Sequence, residues 1–454
     1  MPATTMSRAD RLRMLAGELL ERERWSREQL VAHQQERLDE LLAHAVSASP
    51  YYSEALGSDP AATPFERLPT LSKPVLMEQW DRIVCDPRVR CAGVEAHAAS
   101  PHAGEPYLGE YQVFSTSGAS GLRGLFVYGA GDWTALLAHT VRVLARNGAR
   151  PGERAIGIGA PPGVHMSPRL FAALQSGGAA PRLSALTPLD EMVAALNGFQ
   201  PAVLLGYPTV ATLLAAEQLA GRLDIAPRLL ALGSEPVTAE MRDRIHEAWG
   251  IDPGEWYTTT EAATIASSTP EHPRALEIFE DQYVVEVVDD RNRRVPPGTA
   301  GAKVLVTNLC NRTLPLIRYE LADRVTESPD PNPAGRPYRH LAGIDGRTAD
   351  TLTFPASRGG TVAVLPLRIG APFARLPAVR QFQIVHEPGR LEVRVVLDPA
   401  AAAGTPEDVR AAVAGALEEA GAVPPRIDVS PVAELEREPG PAAKLKLIVS
   451  RAAV

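Results

Sequence analysis

Apolar positions recur at helical spacing from residue 8 to residue 56. Leu30, Leu38, Leu41, Leu42 and Val46 fall on one face, which predicts amphipathic helices. Prolines interrupt the pattern from about 60 to 110, and that stretch reads as irregular. From 125 to 340 short apolar runs alternate with periodic ones. AIGIG (155–159), AVLLGY (202–207), RLLALG (228–233), YVVEVVD (283–289) and AKVLVTN (302–308) read as strands. Stretches near 132–147, 168–177, 188–198, 208–220 and 238–249 read as helices. Thr238 is placed to cap the last of these, with Glu240 in its first turn where the helix dipole favours an acid. Such alternation predicts an α/β core with a largely parallel sheet. After about 345 the texture changes. Strands at 361–365, 379–386, 391–397 and 426–433 surround one helix, TPEDVRAAVAGALEEAG. Thr405 is its cap, Pro406 its first residue, and Val409, Val413 and Leu417 its buried stripe. A small α+β domain is expected there, with the boundary in Asp345–Leu352. This divides the chain into 1–345 and 346–454.

Composition narrows the class. A chain of 454 residues has room for two or three domains, and 45% hydrophobic with 22% charged residues is ordinary for a soluble enzyme. A net charge of −8 with a pI near 5.8 argues against a nucleic-acid partner. Cys85, Cys91 and Cys310 are too dispersed for a disulfide framework or a zinc site, which fits a reducing cytoplasm. The N-terminal segment lacks the apolar centre of a secretory signal, and no apolar run approaches a membrane span.

Candidate chemistry begins at TSGASGLRG, Thr116 to Gly124, set between the strand-like YQVF (111–114) and LFVY (125–128). Its glycines expose backbone N–H groups and its hydroxyls add donors, so the turn can wrap a phosphate. It is not a P-loop, because no Lys-Ser or Lys-Thr leads into a helix. GIGAPPG (157–163) has glycine spacing near a dinucleotide fingerprint, but its two prolines deny the helix N-terminus that pyrophosphate needs. Five more segments matter. GSEP (Gly233–Pro236) follows a strand, where open α/β sheets bind ligands. YTTTEA (257–262) carries an aromatic face, three hydroxyls and a carboxylate suited to Mg²⁺. LPLIRYELADRV places Asp323, GIDGRTADTL places Arg347, and AAKLKLIVSR places Lys444 and Lys446. Each has an ordinary reading by itself: Tyr257 a core aromatic, Asp323 and Arg324 a surface pair, Lys444 a solvated tail.

Their order changes the picture. With TSGASG, GSEP, YTTTE, LIRYELAD, GRTAD and a terminal Lys in succession, the chain resembles the phenylacetate–CoA ligase branch of the adenylate-forming enzymes over nearly its whole length. TLPLIRYELADRV is the most specific match. The resemblance implies a large N-terminal α/β domain with mixed or parallel sheets flanked by helices, binding ATP and a carboxylic acid, and a small mobile α+β lid. It implies an acyl-adenylate intermediate, with transfer to coenzyme A in many members. Carried onto this chain, Thr116, Ser117, Gly118, Ser120 and Gly121 would hold the β- and γ-phosphates. Gly233, Ser234, Glu235 and Pro236 would line the adenine and Tyr257 would stack on it. Thr260 would bond the α-phosphate, Glu261 would bind Mg²⁺, and Asp323 and Arg347 would bind ribose. Lys444 matches the lysine of adenylation, with Lys446 as the alternative register.

The chain departs from the family pattern in two places. Ala119 replaces a phosphate-loop hydroxyl and Leu122-Arg123 stand where a Pro is usual, so Arg123 is a candidate for the missing positive charge. Ala349 occupies the hinge position normally held by Asp. These changes suit a specialised biosynthetic ligase. His165, Met166, Phe171, Tyr207 and Trp256 are candidates for the acid pocket, and an apolar pocket with few polar groups suits an aromatic acid. Three activities stay open on these residues. One is an acid–CoA ligase. Another is an enzyme with a different acceptor, either an amide ligase or a nitrite-activating diazotase of an aryl amine. The last is a catalytically silent nucleotide-binding protein. The expected partners are small molecules, with no nucleic acid or membrane, and the expected state is a monomer or homodimer.

Overall fold

The structure, a computed structural model, describes residues 7–57, 59–60, 63–116, 122–160, 163–174, 180–181, 183–185, 187–347, 352–364, 369–370, 372–373, 376, 378–398, 405–436 and 448–450. Three helices open it, α1 (Arg8–Arg22), α2 (Arg27–Ala48) and α3 (Pro50–Leu56). A capping box starts α2: Gln29 N donates to Ser26 Oγ at 3.3 Å and Ser26 N donates to Gln29 Oε1 at 2.9 Å. Leu30, Leu38, Leu41 and Leu42 are buried as their spacing requires. The proline-rich stretch is not irregular. It holds α4 (Lys73–Glu78), α5 (Trp80–Ile83) and α6 (Cys91–Ala98), which at four to eight residues are too short to show a period. A hairpin, β1 (Gln112–Ser115) with β2 (Leu125–Tyr128), brackets the glycine-rich segment, and α7 (Ala130–Arg146) follows.

The α/β unit then runs β3 (Ala155–Ile158), α8 (Met166–Leu174), α9 (Leu189–Phe199), β4 (Val203–Gly206), α10 (Pro208–Leu219), β5 (Leu229–Gly233), α11 (Ala239–Trp249) and β6 (Gly254–Thr259). Thr238 caps α11 by accepting from Met241 N at 3.1 Å, and Gly250 ends it at φ +70°. Seven strands follow: β7 (Ala263–Thr269), β8 (His272–Ile278), β9 (Tyr283–Val288), β10 (Lys303–Asn308), β11 (Tyr319–Leu321), β12 (Asp323–Glu327) and β13 (His340–Arg347). The main sheet has the order β12-β13-β8-β7-β6-β5-β4-β3.

Only β3 to β6 are mutually parallel; β6-β7-β8-β13-β12 pair antiparallel. The sheet is therefore mixed rather than largely parallel. Tight hairpins made the difference, and they were hard to see. ATIASST is buried on both faces yet built from small and hydroxylated residues, so it shows neither alternation nor a strong apolar run. Helices cover both faces. Buried residues of α9, α10 and α11 pack with Ile156, Leu204 and Leu230 on one side, and α7 and α8 pack with Val203, Leu229 and Ile265 on the other.

Toward the C-terminus stand β14 (Leu352–Pro355), β15 (Thr361–Val364), β16 (Val379–Glu387), β17 (Arg390–Leu397), the helix Thr405–Glu419, β18 (Arg426–Pro431) and β19 (Ile448–Ser450). Four of these strands form a sheet of order β18-β17-β16-β19. Val409, Val413 and Leu417 bury the helix stripe. One buried apolar cluster runs from Leu38 to Leu341 and another from Leu352 to Ile427, which supports our proposal that two units divide near 345/346. Among the described residues no helix is long and apolar enough to cross a membrane.

Candidate functional site

The parallel half of the sheet leaves a crevice beyond the carboxyl ends of its strands, where such sheets bind ligands. Gly159 and Ala160 after β3, Gly206 and Tyr207 at the end of β4, Gly233 and Ser234 at the end of β5, and Thr258 to Glu261 at the end of β6 all line one cavity of about 630 Å³. Small residues make it possible. A Cβ on Gly206 would come 2.6 Å from the Ile158 carbonyl oxygen, and a Cβ on Gly157 would strike the Phe171 ring.

Thr116 lines the cavity from the base of the glycine-rich segment. Its hydroxyl accepts from Gly124 N at 2.8 Å and its N–H donates to Gly124 O at 3.0 Å, so the two ends of the segment are clipped together. Ser117, Gly118, Ser120 and Gly121 lie outside the described residues, as do Ala349, Lys444 and Lys446. Arg123 is exposed and is not among the lining residues. Lys73, at the first turn of α4, does line the cavity, together with Thr116 and Glu320. Sequence reading passed it over. The signal was its rarity: Lys73, Lys303, Lys444 and Lys446 are the only lysines among 46 basic residues.

The β6–β7 hairpin carries the carboxylate. Thr259 pairs with Ala263 across a loop of Thr260, Glu261 and Ala262, and Ala263 takes φ +55°, the left-handed residue that closes three-residue hairpins. Three hydroxyls hold the loop. Thr259 Oγ1 accepts from Ala262 N at 3.1 Å, Tyr128 Oη donates to Glu261 O at 2.9 Å, and Tyr283 Oη donates to Ala262 O. Burial, with Glu261 next in weight for Tyr128, pushes both phenols well above their ordinary range, so they stay protonated donors. Glu261, 7% exposed, thus presents its side chain to the cavity from an anchored backbone.

Gly233 and Ser234 reach the cavity, with Ser234 at φ +67° and its hydroxyl 3.1 Å from Thr258 Oγ1. Glu235 turns elsewhere. Its Oε2 accepts from Thr209 N at 3.1 Å and Thr209 Oγ1 at 2.8 Å at the start of α10. Pro236 is not among the lining residues. Tyr257 is not a lining residue either: it is 4% exposed and donates from Oη to Asp323 Oδ2 at 3.0 Å. Asp323 lines the cavity, and strand register sets Arg347 opposite it. Removing the tether should loosen Asp323 alone. For the ATP that the sequence resemblance implies, Tyr257→Phe is expected to raise KM about 3- to 10-fold with kcat nearly unchanged; steady-state pyrophosphate release against ATP concentration checks this.

The other half of the cavity is mostly apolar. His165, Met166, Leu170 and Phe171 from the α8 region face Leu205, Tyr207, Ala231 and Trp256, with Thr140 and Thr264 among them. Burial, then Glu235, pushes the Tyr207 phenol up to about 12. Behind this half, His139 Nε2 donates to Thr264 O at 2.7 Å while Arg142 donates to His139 Nδ1 at 2.9 Å, which fixes one tautomer of a neutral ring. Arg142 in turn meets Asp281 at 2.8 Å, and neither side chain is exposed. Burial, then the Arg142 charge, lowers the His139 pKa from 6.5 to about 3. Between those values the unfolded chain binds a proton that the folded one does not, so stability falls as pH drops through that window. The slope from this ring is at most about 1.4 kcal/mol per pH unit. His139→Gln should remove that share of the acid sensitivity, read from urea midpoints at neutral and mildly acid pH.

Among the described residues no group of three or more His, Cys, Asp or Glu could by itself hold a metal. One lining carboxylate beside Thr258 and Thr260 suits Mg²⁺ that arrives on phosphates and keeps most of its ligands there.

No family model matches the chain. A phenylacetate–coenzyme A ligase of Thermus thermophilus is 28% identical over 387 residues, covering 79% of this chain and 78% of that one. Another of the same name from Aromatoleum evansii is 24% identical, covering 88% and 89%. The chain is thus similar over most of its length to phenylacetate–CoA ligases. Its fold agrees: a 2-hydroxyisobutyryl-CoA ligase with a bound acyl-AMP superposes with a TM-score of 0.72 at 23% identity, covering 99% of this chain and 94% of that one. The mixed sheet of this phenylacetate–CoA ligase-like chain is thus that of a two-domain adenylate-forming ligase.

Proposed function

We propose that this protein is an AMP-forming acid–CoA ligase acting on a small aromatic carboxylic acid. The observation that carries the reading is the single cavity. Thr116, Glu261 and Asp323 come from three separate parts of the chain, yet they line one space together with an apolar chamber. That space can seat a nucleotide against an acid.

In this reading the nucleotide occupies the half near Gly233, Ser234 and Asp323, and the acid the half between Phe171, Tyr207 and Trp256. A carboxylate oxygen forms a bond to the α-phosphorus as the bond to the β-phosphate bridging oxygen breaks, and pyrophosphate leaves. This transfer needs positioned positive charge more than covalent help. In this reading Lys73 and Thr116 serve the outer phosphates and Thr260 the α-phosphate, and all three line the cavity. Glu261 would hold Mg²⁺, which supplies charge neutralisation between phosphates. Coenzyme A thiol then attacks the acyl carbon and AMP leaves. Ala119, Leu122, Arg123 and Ala349 depart from the housekeeping pattern and support a place in specialised metabolism.

The test is pyrophosphate release by the full chain with Mg-ATP and a panel of aromatic acids, with and without coenzyme A. Acid-dependent release and a coenzyme A-dependent thioester are expected. Adenylate without thioester would point to another acceptor, and no acid-dependent release would refute activation altogether.

A further inference from the structure

Two nearly buried threonines line the cavity, and their hydroxyls differ in what they can still bond. Thr140, 2% exposed on α7, donates its one hydroxyl proton to Leu136 O at 2.9 Å. A threonine oxygen has one donor and two acceptor sites, so what Thr140 offers to the cavity it lines is acceptor capacity only. Thr264, 3% exposed on β7, lines the same space, and its hydroxyl is bonded to no described residue.

Both are more buried than Ser234, which is exposed, and than half-buried Thr258 and Thr260 of the nucleotide half. Their wall is stiff. The Thr264 carbonyl is held by His139, which Arg142 holds in turn, and α7 is tied to Asp281 through the same arginine. Leu205, Ala231, Trp256 and Phe171 complete the chamber with apolar surface.

Resting on the ligase reading above, we infer that the acid carries a hydroxyl or amino donor on its ring, and that Thr140 accepts from it, with Thr264 as second partner. An unsubstituted ring would strip water from a buried acceptor and return nothing, whereas a donor-bearing ring satisfies it. Sites built to bond a polar substituent discriminate strongly against analogues that lack it.

The experiment compares unsubstituted benzoate and phenylacetate with their hydroxy-, amino- and methoxy-substituted isomers, using pyrophosphate release and, independently, calorimetric binding of each acid in the presence of AMP. The best hydroxy or amino acid should exceed its unsubstituted parent at least about tenfold in kcat/KM, and should exceed its methoxy analogue as well. Thr140→Val should collapse that ratio toward unity. Thr140→Ser should keep the preference. Parent acids equal to or better than every donor-bearing isomer would overturn the inference and leave the ligase reading standing, as would an unchanged ratio in Thr140→Val. Absence of turnover and binding with every acid would overturn both.

Discussion

Glu261→Gln is expected to lower acid-dependent pyrophosphate release on the order of 10²–10³-fold, a barrier rise of about 3–4 kcal/mol. The carboxylate is the one acidic side chain on the β6–β7 loop that lines the cavity, and Tyr128 and Tyr283 hold the loop backbone whatever the side chain. Glutamine keeps shape and volume but removes the charge that would face Mg²⁺, so the Mg²⁺ concentration for half-maximal activity should rise as well. The fold should survive, because the tethers are to carbonyls. Circular dichroism and the melting temperature should match the parent. A variant with parental rate at saturating Mg²⁺ would remove Glu261 from the chemistry.

Lys444→Ala is the second large effect. An adenylation step that leans on a lysine ammonium beside the α-phosphate and carboxylate should lose about three orders of magnitude in rate without it, with ATP binding nearly intact. Lys446→Ala should cost little if the register is right, and the two variants exchange roles if it is off by two. The scarcity of lysine gives the comparison its force. Arginine supplies nearly all cations in this chain, so the few lysines mark places where a compact ammonium was retained. Lys303 has a structural task, pairing with Glu320 at 2.9 Å, and Lys73 lines the cavity. Pyrophosphate release from both terminal variants, with nucleotide binding measured alongside, decides the assignment.

Much of the architecture was legible in order and periodicity. The amphipathic stripe of α2, the Thr238 cap, the strand runs ending in Gly206 and Gly233 and the stripe of the Thr405–Glu419 helix are local facts, set by spacing and capping chemistry. They suffice for the α/β class and for bringing GSEP to a strand end. What they could not carry was pairing direction. The small-residue strand β7 and the hairpins around it produce the antiparallel half of the sheet, and their partners are chosen by contacts distant in sequence.

The same division holds in the site. Residue types singled out Thr116, Glu261 and Asp323 as candidates, and all three line the cavity. Which way a side chain turns is a tertiary outcome. Tyr257 tethers Asp323, Glu235 holds the start of α10, Arg123 points to solvent and Lys73 lines the cavity. Thr140 acquires its meaning only because α7 packs on β7, which buries its oxygen after the helix has taken its proton. Sequence determined which chemistries were available; packing decided which of them face the cavity, since burial and hydrogen-bond satisfaction are properties of neighbours that the chain order does not list.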